Sequence, residues 1–422
     1  MTATPDDSQD IRDPRDAGAL PLAEPGPGPL AGLRVLEAGQ LLAGPFCGQL
    51  LGDLGAEVIK IEPPGSGDPM RQWGREKPHG QSLWWPVVAR NKKSVTVNLR
   101  TPQGQDLVRR LAATSDVFVE NFRPGTLERW GLGYDRLSAE NPRLVLTRVT
   151  GFGQTGPYAP RAGYGSIGEA MGGLRYVTGE PDRAPSRAGI SIGDSLAATF
   201  ACLGTLAALH ERERSGRGQV VDSAIYEAVL ALMESLVPEW QVAGYQRERT
   251  GAILPNIAPS NLYPAADGQT VLIAANQDTV FARLAIAMGE PELATDERYA
   301  THGARGANQA ELDDHIATWS SKLDADDLLA LLEEHGVPAG RTYRAQDMLR
   351  DPHMAARGSL VRVRDPRFGE LAMQNVAPRL SRTPGGVRWT GPDLGEHTRE
   401  VLGGVLGLSD GELDDLAAAA LI

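Results

Sequence analysis

Three features of this 422-residue chain predict a doubly wound α/β fold. Short β-branched runs alternate with Ala- and Leu-rich segments from Leu33 onward, and glycine-containing turns sit at the junctions. The first strand, helix and strand fit into about 30 residues, the span of a right-handed βαβ crossover in a parallel sheet. Leu33-Arg34-Val35-Leu36 reads as the opening strand, Pro45 to Leu54 as the helix on its heels, and Ala56 to Glu62 as the second strand. Further strands are predicted at Ser94 to Asn98, Val117 to Val119 and Leu144 to Val149, with a helix over Gln103 to Ala113. From Gly193 the texture changes: Ser195 to Arg214 and Ser223 to Tyr245 read as long helices, separated by Ser215-Gly216-Arg217-Gly218-Gln219. Proline and glycine rise over Gly251 to Asp267, which marks an exit from the first domain. Residues 270 to 348 then read as a smaller unit of one or two strands and several helices, Asp324 to Glu334 among them. Past Asp351, short strands such as Ser359 to Val363 lead to a helix near His397 to Leu406.

The length allows two or three domains. Hydrophobic residues make up 41% and charged residues 23% of the chain, a globular composition. The 49 glycines exceed the usual share, which points to many tight turns and close backbone approaches. With 42 Lys and Arg against 54 Asp and Glu, the net charge of -12 argues against nucleic acid or an anionic membrane as partner. Two cysteines, Cys47 and Cys202, cannot build a disulfide scaffold or a four-cysteine zinc site; that usage suits a reducing cytoplasm, the location expected. No stretch reaches the roughly 18 uncharged apolar residues of a bilayer span. Residues 1–28 mix acidic residues with proline and glycine and read as a disordered tail, not a signal peptide.

Standard catalytic signatures fail, which prunes kinases, classical dehydrogenases and zincins: there is no Walker A loop, no GxGxxG after the first strand and no HExxH. Gly151 to Gly156 spells GxGxxG late in the domain, and Gly189 to Gly193 spells GxSxG, but Ser191 falls one step short of the strand-to-helix turn of a nucleophile elbow. The seven histidines show no metal-ligand spacing, so no metal is expected. What remains is a set of polar junctions beside predicted strands: Gln40 to Pro45, Glu62 to Asp68, Asn91 to Ser94, Glu120 to Gly125 and Gly151 to Pro157. Open α/β sheets bind ligands at strand carboxyl ends, although turn chemistry alone accounts for any one of these loops. Asp194 stands where an apolar strand-like segment gives way to a long helix. It reads as an N-cap or as a carboxylate nucleophile held ionised by helix amides, and the two roles are compatible.

The ordered series Ala43-Gly44-Pro45, Leu51 to Glu62 (LGDLGAEVIKIE), Gly67-Asp68 with Arg71, Asn91-Lys92-Lys93-Ser94, Val119 to Gly125 (VENFRPG), Gly151 to Pro157 (GFGQTGP), Gly172-Gly173, Gly193-Asp194 and Gly216 to Gln219 resembles the class III CoA-transferases, the CaiB/BaiF or formyl-CoA transferase family. The likeness runs from about Leu33 to Leu406 and includes Gly391-Pro392 with Leu394 to Thr398. It implies a large Rossmann-like CoA-binding domain (29–245 plus 365–422), a small α+β domain with its linkers (246–364), and an interlocked homodimer. It implies a CoA-transferase that moves CoA from an acyl-CoA to a free carboxylic acid through a covalent intermediate on Asp194, with acyl-CoA as substrate and no tightly bound cofactor. Gln40, Leu41, Leu42 and Ala43 match the loop around the thiol end of CoA. Arg71, Asn91, Lys93, Val97, Arg100, Asn121, Phe122 and Arg129 fall where the family contacts or borders the nucleotide; core packing competes for Phe122, and a surface ion pair for Arg71 and Arg129.

Three departures stand out. Family members commonly carry Asp or Glu where this chain has Gly165; Glu169, one helical turn later, is a candidate to compensate. The tetraglycine lid has no counterpart in the aligned Gly251 to Pro259. Relatives that racemise α-methylacyl-CoA carry a His where this chain has Tyr164, which weighs against a racemase or epimerase; a CoA-binding protein without turnover is the remaining alternative. Arg175, Arg183 and Arg187 bracket the approach to Asp194 along the chain and suit the second carboxylate of a dicarboxylic acid, with solvated surface arginines as the competing reading.

Overall fold

The computed structural model describes residues 13, 15–24 and 26–422. The chain divides into two compact units, one formed by residues up to Leu174 with Ala188–Glu234 and Leu349–Ile422, the other by Arg175–Arg187 and Ser235–Met348. The smaller unit therefore starts earlier than the expected 246 and takes in a separate piece, 175–187, while the C-terminal return begins at 349 instead of 365.

The larger unit holds a six-stranded sheet in the order β3-β2-β1-β4-β5-β6, with β1 Arg34–Glu37, β2 Glu57–Glu62, β3 Lys92–Thr96, β4 Val117–Glu120, β5 Val145–Thr150 and β6 Val220–Ala224. Every neighbouring pair is parallel. Parallel sheets are covered on both faces, so their strands are apolar on both sides. Leu36, Ile59 and Phe118 pack one way, with Leu107, Leu111, Val401 and Leu402. Their neighbours Val35, Val58 and Val117 pack the other way, with Cys47, Leu51, Ala197 and Ala201. Helices Pro102–Ala113 and Thr398–Leu406 cover the first face; Ala43–Asp53 and Ile192–Ser215 cover the second.

Two strands depart from expectation. The segment read as a helix from Ser223 opens instead with β6, followed by separate helices Ile225–Leu230 and Leu236–Ala243; pairing with β5 outweighs the Ala- and Leu-rich helical pattern. Strand β3 starts at Lys92, two residues before the predicted Ser94, because the Lys92 ammonium is buried against Glu37 Oε2 at 2.8 Å. Helix Ile192–Ser215, 24 residues, is long and apolar enough by length and composition to cross a bilayer, which no stretch was expected to be; its Ala197, Ala198, Ala201 and Ala208 are buried in the core.

The C-terminal segment completes this unit along β3: Asn98 N donates to Leu421 O, His397 N to Ser94 O, and Asn91 N to Trp389 O. Strands β7 Ser260–Pro264, β8 Thr270–Ala274 and β9 Ala339–Arg341 form the antiparallel sheet of the smaller unit, whose core joins Tyr263, Ile273, Phe281, Leu312 and Leu328. A hairpin, β10 Leu360–Asp365 and β11 Gly369–Gln374, belongs to the larger unit. Of the expected disordered tail, residues 1–12, 14 and 25 lie outside the described residues. The later part is held in place: Leu20 is buried, and Ala23 N and Arg362 N exchange bonds with Arg362 O and Pro21 O beside β10.

Candidate active site

In the strand order 3-2-1-4-5-6, the direction of chain progress reverses between β1 and β4, and the crevice beyond their carboxyl ends is the expected ligand position. The loops after these strands are joined there by one side chain: Asn121 Oδ1 accepts from Gln40 N at 2.8 Å, and Asn121 Nδ2 donates to Gln40 O at 2.8 Å. The next residue, Leu41, sits at φ 63°, a left-handed conformation that costs a branched residue strain. Asp68 holds it, with Leu41 N donating to Oδ1 at 3.0 Å and Oδ2 at 3.2 Å. Helix Ala43–Asp53 follows with no side-chain cap at Leu42 and no acidic residue in its first turn, so its leading amides need water or a ligand.

Beneath this loop lies an ionic cluster. Lys60 Nζ is 2.8 Å from Glu37 Oε1 and 2.9 Å from Asp68 Oδ2, and Lys92 Nζ is 2.8 Å from Glu37 Oε2; all four residues are at most 2% exposed. Burial alone would push the Lys60 pKa down, but the carboxylates of Asp68 and Glu37 outweigh it and hold the ammonium above its ordinary value. Burial dominates at Lys92, whose pKa is lowered although Glu37 opposes the shift. For Asp68 and Glu62, burial raises the carboxyl pKa, and Lys60 and Arg71 respectively lead the interactions that bring it below the usual range. Gly48 makes room for Glu37: a methyl group there would lie 1.9 Å from Glu37 Oε2.

The structure sorts the sequence-predicted residues by strand end. Gln40, Leu41, Leu42, Ala43, Val97, Arg100, Asn121, Phe122 and Arg129 follow the carboxyl ends of β1, β3 and β4. Val97 is buried. Phe122 packs edge-on to Trp130 with ring centroids 5.1 Å apart, and its N–H donates to Glu120 Oε2 at 2.6 Å. Arg100 and Arg129 are exposed, as is Arg123, which sequence reasoning did not single out although it follows Phe122 directly. Asn91 and Lys93 stand at the opposite, amino end of β3. Asn91 is fully buried, with Nδ2 donating to Asp53 Oδ1 and Gly386 O and Oδ1 accepting from Arg388 N. Lys93 bridges Glu57 and Glu400. Arg71 follows β2 but turns inward, forking onto Glu62 at 2.7 and 2.8 Å and stacking 3.7 Å from the Trp85 ring centroid. The competing ion-pair reading describes its side chain, in a buried form.

Asp194 is the third residue of helix Ile192–Ser215, whose N-cap is Ser191 without a side-chain bond. It is therefore inside the first turn, not the N-cap; Ser191 holds the N-cap position without a capping bond and does not follow a strand. The Asp194 carboxylate lies against Gly165, the first residue of helix Gly165–Met171; a methyl group on Gly165 would fall 2.3 Å from Asp194 Oδ2. From the same helix, buried Glu169 accepts from Gly193 N at 3.4 Å. Tyr164 is 68% exposed. Arg175, Arg183 and Arg187 belong to the segment assigned to the smaller unit. Among the described residues, no group of three or more His, Cys, Asp or Glu is arranged to hold a metal ion.

Residues 30–398 match CoA-transferase family III. The chain is 65% identical over 396 residues to the succinyl-CoA–D-citramalate CoA-transferase of Chloroflexus aurantiacus, covering 94% of this chain and 98% of that one. It is 43% identical to the beta subunit of the succinyl-CoA–L-malate CoA-transferase of the same organism, covering 93% and 98%. The crystal structure of a CaiB/BaiF family protein from Brucella suis superposes with a TM-score of 0.79 at 37% identity, covering 90% of this chain and 99% of that one. Together with an Asp at a helix start and a clamped loop at the switch point, these likenesses place the chain in family III of the CoA-transferases, enzymes that pass CoA from an acyl-CoA to a carboxylic acid.

Proposed function

We propose that this enzyme transfers CoA from succinyl-CoA to a small 2-hydroxy dicarboxylic acid of the citramalate or malate type, with Asp194 as the covalent nucleophile. The observation that carries the covalent step is the placement of Asp194 in the first turn of its helix, its carboxylate turned onto Gly165, which presents no side chain to it. The acceptor class rests on the names of the relatives, both of which act on four- or five-carbon hydroxy dicarboxylates. Along the chain, Arg175, Arg183 and Arg187 precede Asp194, and guanidinium groups suit the second carboxylate of such an acceptor.

The steps balance without water or ATP. The Asp194 carboxylate attacks the thioester carbonyl of succinyl-CoA, giving a mixed anhydride and CoA thiolate. The thiolate attacks the aspartyl carbonyl, and succinate leaves. The acceptor carboxylate then attacks the aspartyl-CoA thioester, which expels CoA thiolate and leaves an acceptor–aspartyl anhydride. Thiolate attack on the acceptor carbonyl releases the new acyl-CoA and restores the Asp194 carboxylate. Water must be kept from both anhydrides. CoA itself lies along the Gln40–Ala43 loop, with Phe122 near the base and exposed Arg100, Arg123 and Arg129 near the phosphates.

The same reading includes an interlocked homodimer. The chain passes between its two units at 174/175, 187/188, 234/235 and 348/349, and large apolar side chains stand exposed at Leu203 and Leu232 in the larger unit and at Val237, Trp240 and Val242 in the smaller one. Light scattering that gives a monomer mass overturns this part.

The deciding experiment incubates the enzyme with succinyl-CoA, quenches with hydroxylamine and maps adducts by mass spectrometry. A hydroxamate on Asp194, lost in Asp194→Asn together with transferase activity, is the expected result. Turnover by Asp194→Asn at the wild-type rate would sink the covalent assignment. A rate with butyrate matching that with citramalate or malate would sink the dicarboxylate assignment alone.

A further inference from the structure

Helix Ile192–Ser215 carries Asp194 but lacks a cap of its own, since Ser191 makes no side-chain bond to the first turn. The carboxylate that reaches this turn comes from another helix: Glu169 Oε1 accepts the Gly193 N–H at 3.4 Å. Glu169 is 2% exposed, an expensive place for a carboxylate, and its Cγ lies 3.0 Å from where a methyl group on Gly193 would stand. The side chain thus abuts the residue that immediately precedes Asp194. A negative group at the start of a long helix is favoured by the helix dipole, which accounts for its tolerance there. It does not account for why the acceptor is delivered by the helix whose first residue, Gly165, faces the Asp194 carboxylate. Glu169 and Gly165 are one turn apart on that helix, so the same short element receives the carboxylate at one end and grips the backbone behind it at the other.

We infer that Glu169 is a positioning residue for Asp194: by holding the Gly193 N–H it fixes the peptide from which the nucleophile projects and keeps its carboxylate aimed past Gly165. The inference rests on the reading of Asp194 as the nucleophile. Glu169 forms and breaks no bond in the reaction and transfers no proton; its hydrogen bond persists through every step. A displacement of the nucleophile by about 1 Å costs on the order of a hundredfold in rate, so loss of this bond should lower kcat and leave acyl-CoA affinity alone.

The test compares Glu169→Gln, which keeps an oxygen acceptor of the same reach, Glu169→Met, which fills similar volume without one, and Glu169→Asp, which keeps the charge but withdraws the acceptor. Steady-state kinetics and the rate of hydroxylamine trapping at Asp194 are measured on protein whose thermal midpoint confirms folding. Glu169→Met should lose roughly 30-fold in kcat and Glu169→Asp roughly 10-fold, with KM for succinyl-CoA within about twofold and trapping slowed in parallel. Glu169→Gln should restore most of the rate. If Glu169→Asp matches wild type, or if Glu169→Gln is as slow as Glu169→Asp, the inference fails; should Glu169→Met not fold, those two variants decide it. A purely capping role would lower the thermal midpoint of Glu169→Met and Glu169→Asp and leave kcat per folded molecule unchanged in all three, which also overturns it. Failure of the underlying reading is seen separately, as the absence of any Asp194 adduct in the wild-type enzyme.

Discussion

The switch-point loop and the Asp194 turn are built by opposite means. Around Gln40 and Leu41 the backbone is held by charged and amide side chains: Asn121 takes both polar groups of Gln40, Asp68 takes the Leu41 N–H, and Lys60 joins Asp68 to Glu37. Around Asp194 the arrangement depends on side chains that are missing, at Gly165 and Gly193, and on the Glu169 carboxylate acting on the backbone. The difference follows from the two tasks. A left-handed Leu41 persists only where its surroundings over-determine it, and buried ion pairs supply that constraint even where their net stabilisation is small. In the proposed mechanism, a nucleophile that must form an anhydride and then a thioester needs open volume around its carboxylate, which bulky partners would occupy.

Breaking the ionic side should have the larger effect. Lys60→Met removes the cation shared by Glu37 and Asp68 and strands buried carboxylates, a change worth about 3–5 kcal/mol of stability. Urea unfolding should show this loss at pH 7, and a loss under 1 kcal/mol would mean that Lys92 alone neutralises the cluster. The wild-type protein carries a matching acid signature. Asp68 and Glu62 have folded pKa values below their unfolded ones, so each contributes stability that is present above about pH 4, the unfolded carboxylate range, and is lost as pH falls through the folded values. The Lys60→Met variant should lose the Asp68 share of this acid dependence and retain the Glu62 share, which Arg71 also supports.

Breaking the open side should separate stability from activity. Gly165 does not occupy the left-handed region, so alanine fits its backbone and should stabilise the fold by about 0.4–1 kcal/mol through the unfolded chain. Its methyl group, however, would fall 2.3 Å from Asp194 Oδ2, and the carboxylate must rotate away. Gly165→Ala is expected to unfold at the same or a higher temperature while kcat drops roughly tenfold. Full activity with a raised midpoint would show that the carboxylate turns freely and that the open volume has no catalytic use.

The two regions also differ in how far the sequence disclosed them. Strand positions β1, β2, β4 and β5 are legible because each carries adjacent β-branched or apolar residues, Val35-Leu36, Val58-Ile59, Val117-Phe118-Val119 and Val145-Leu146, as a sheet covered on both faces requires. Strand β6 is not, since Val220 is exposed at the edge and an Ala- and Leu-rich segment follows at once. Asp194 and the Gln40 loop are visible as motif residues, but the partners that hold them lie far along the chain: Asn121 is 81 residues from Gln40, and Glu169 is 24 from Gly193. Lys60 and Lys92 look like surface charges in a one-dimensional reading, and only the registers Glu37↔Lys60 and Val58↔Lys92 put both near Glu37.

The smallest effect sharpens this lesson, because motif position and strand end disagree about which cations meet CoA. Lys93 lies within a family motif, yet it stands at the amino end of β3 with its ammonium 2.8 Å from both Glu57 and Glu400. Arg129 lies beyond the carboxyl end of β4, exposed, with Nη2 on Thr126 Oγ1. Rossmann-type sheets bind at the carboxyl edge, and Lys93 is the second residue of β3, Lys92–Thr96, roughly 10 Å of extended chain short of its carboxyl end, so one phosphate group cannot serve both. Arg129→Ala should raise KM for succinyl-CoA roughly threefold at low salt, with the difference shrinking as salt screens an exposed charge. Lys93→Ala should leave KM unchanged and cost only a few tenths of a kcal/mol of stability, about what an exposed ion pair contributes. The reverse result would move the nucleotide to the opposite edge of the sheet and separate it from the Gln40 loop, so the pair of measurements tests the strand-end assignment directly.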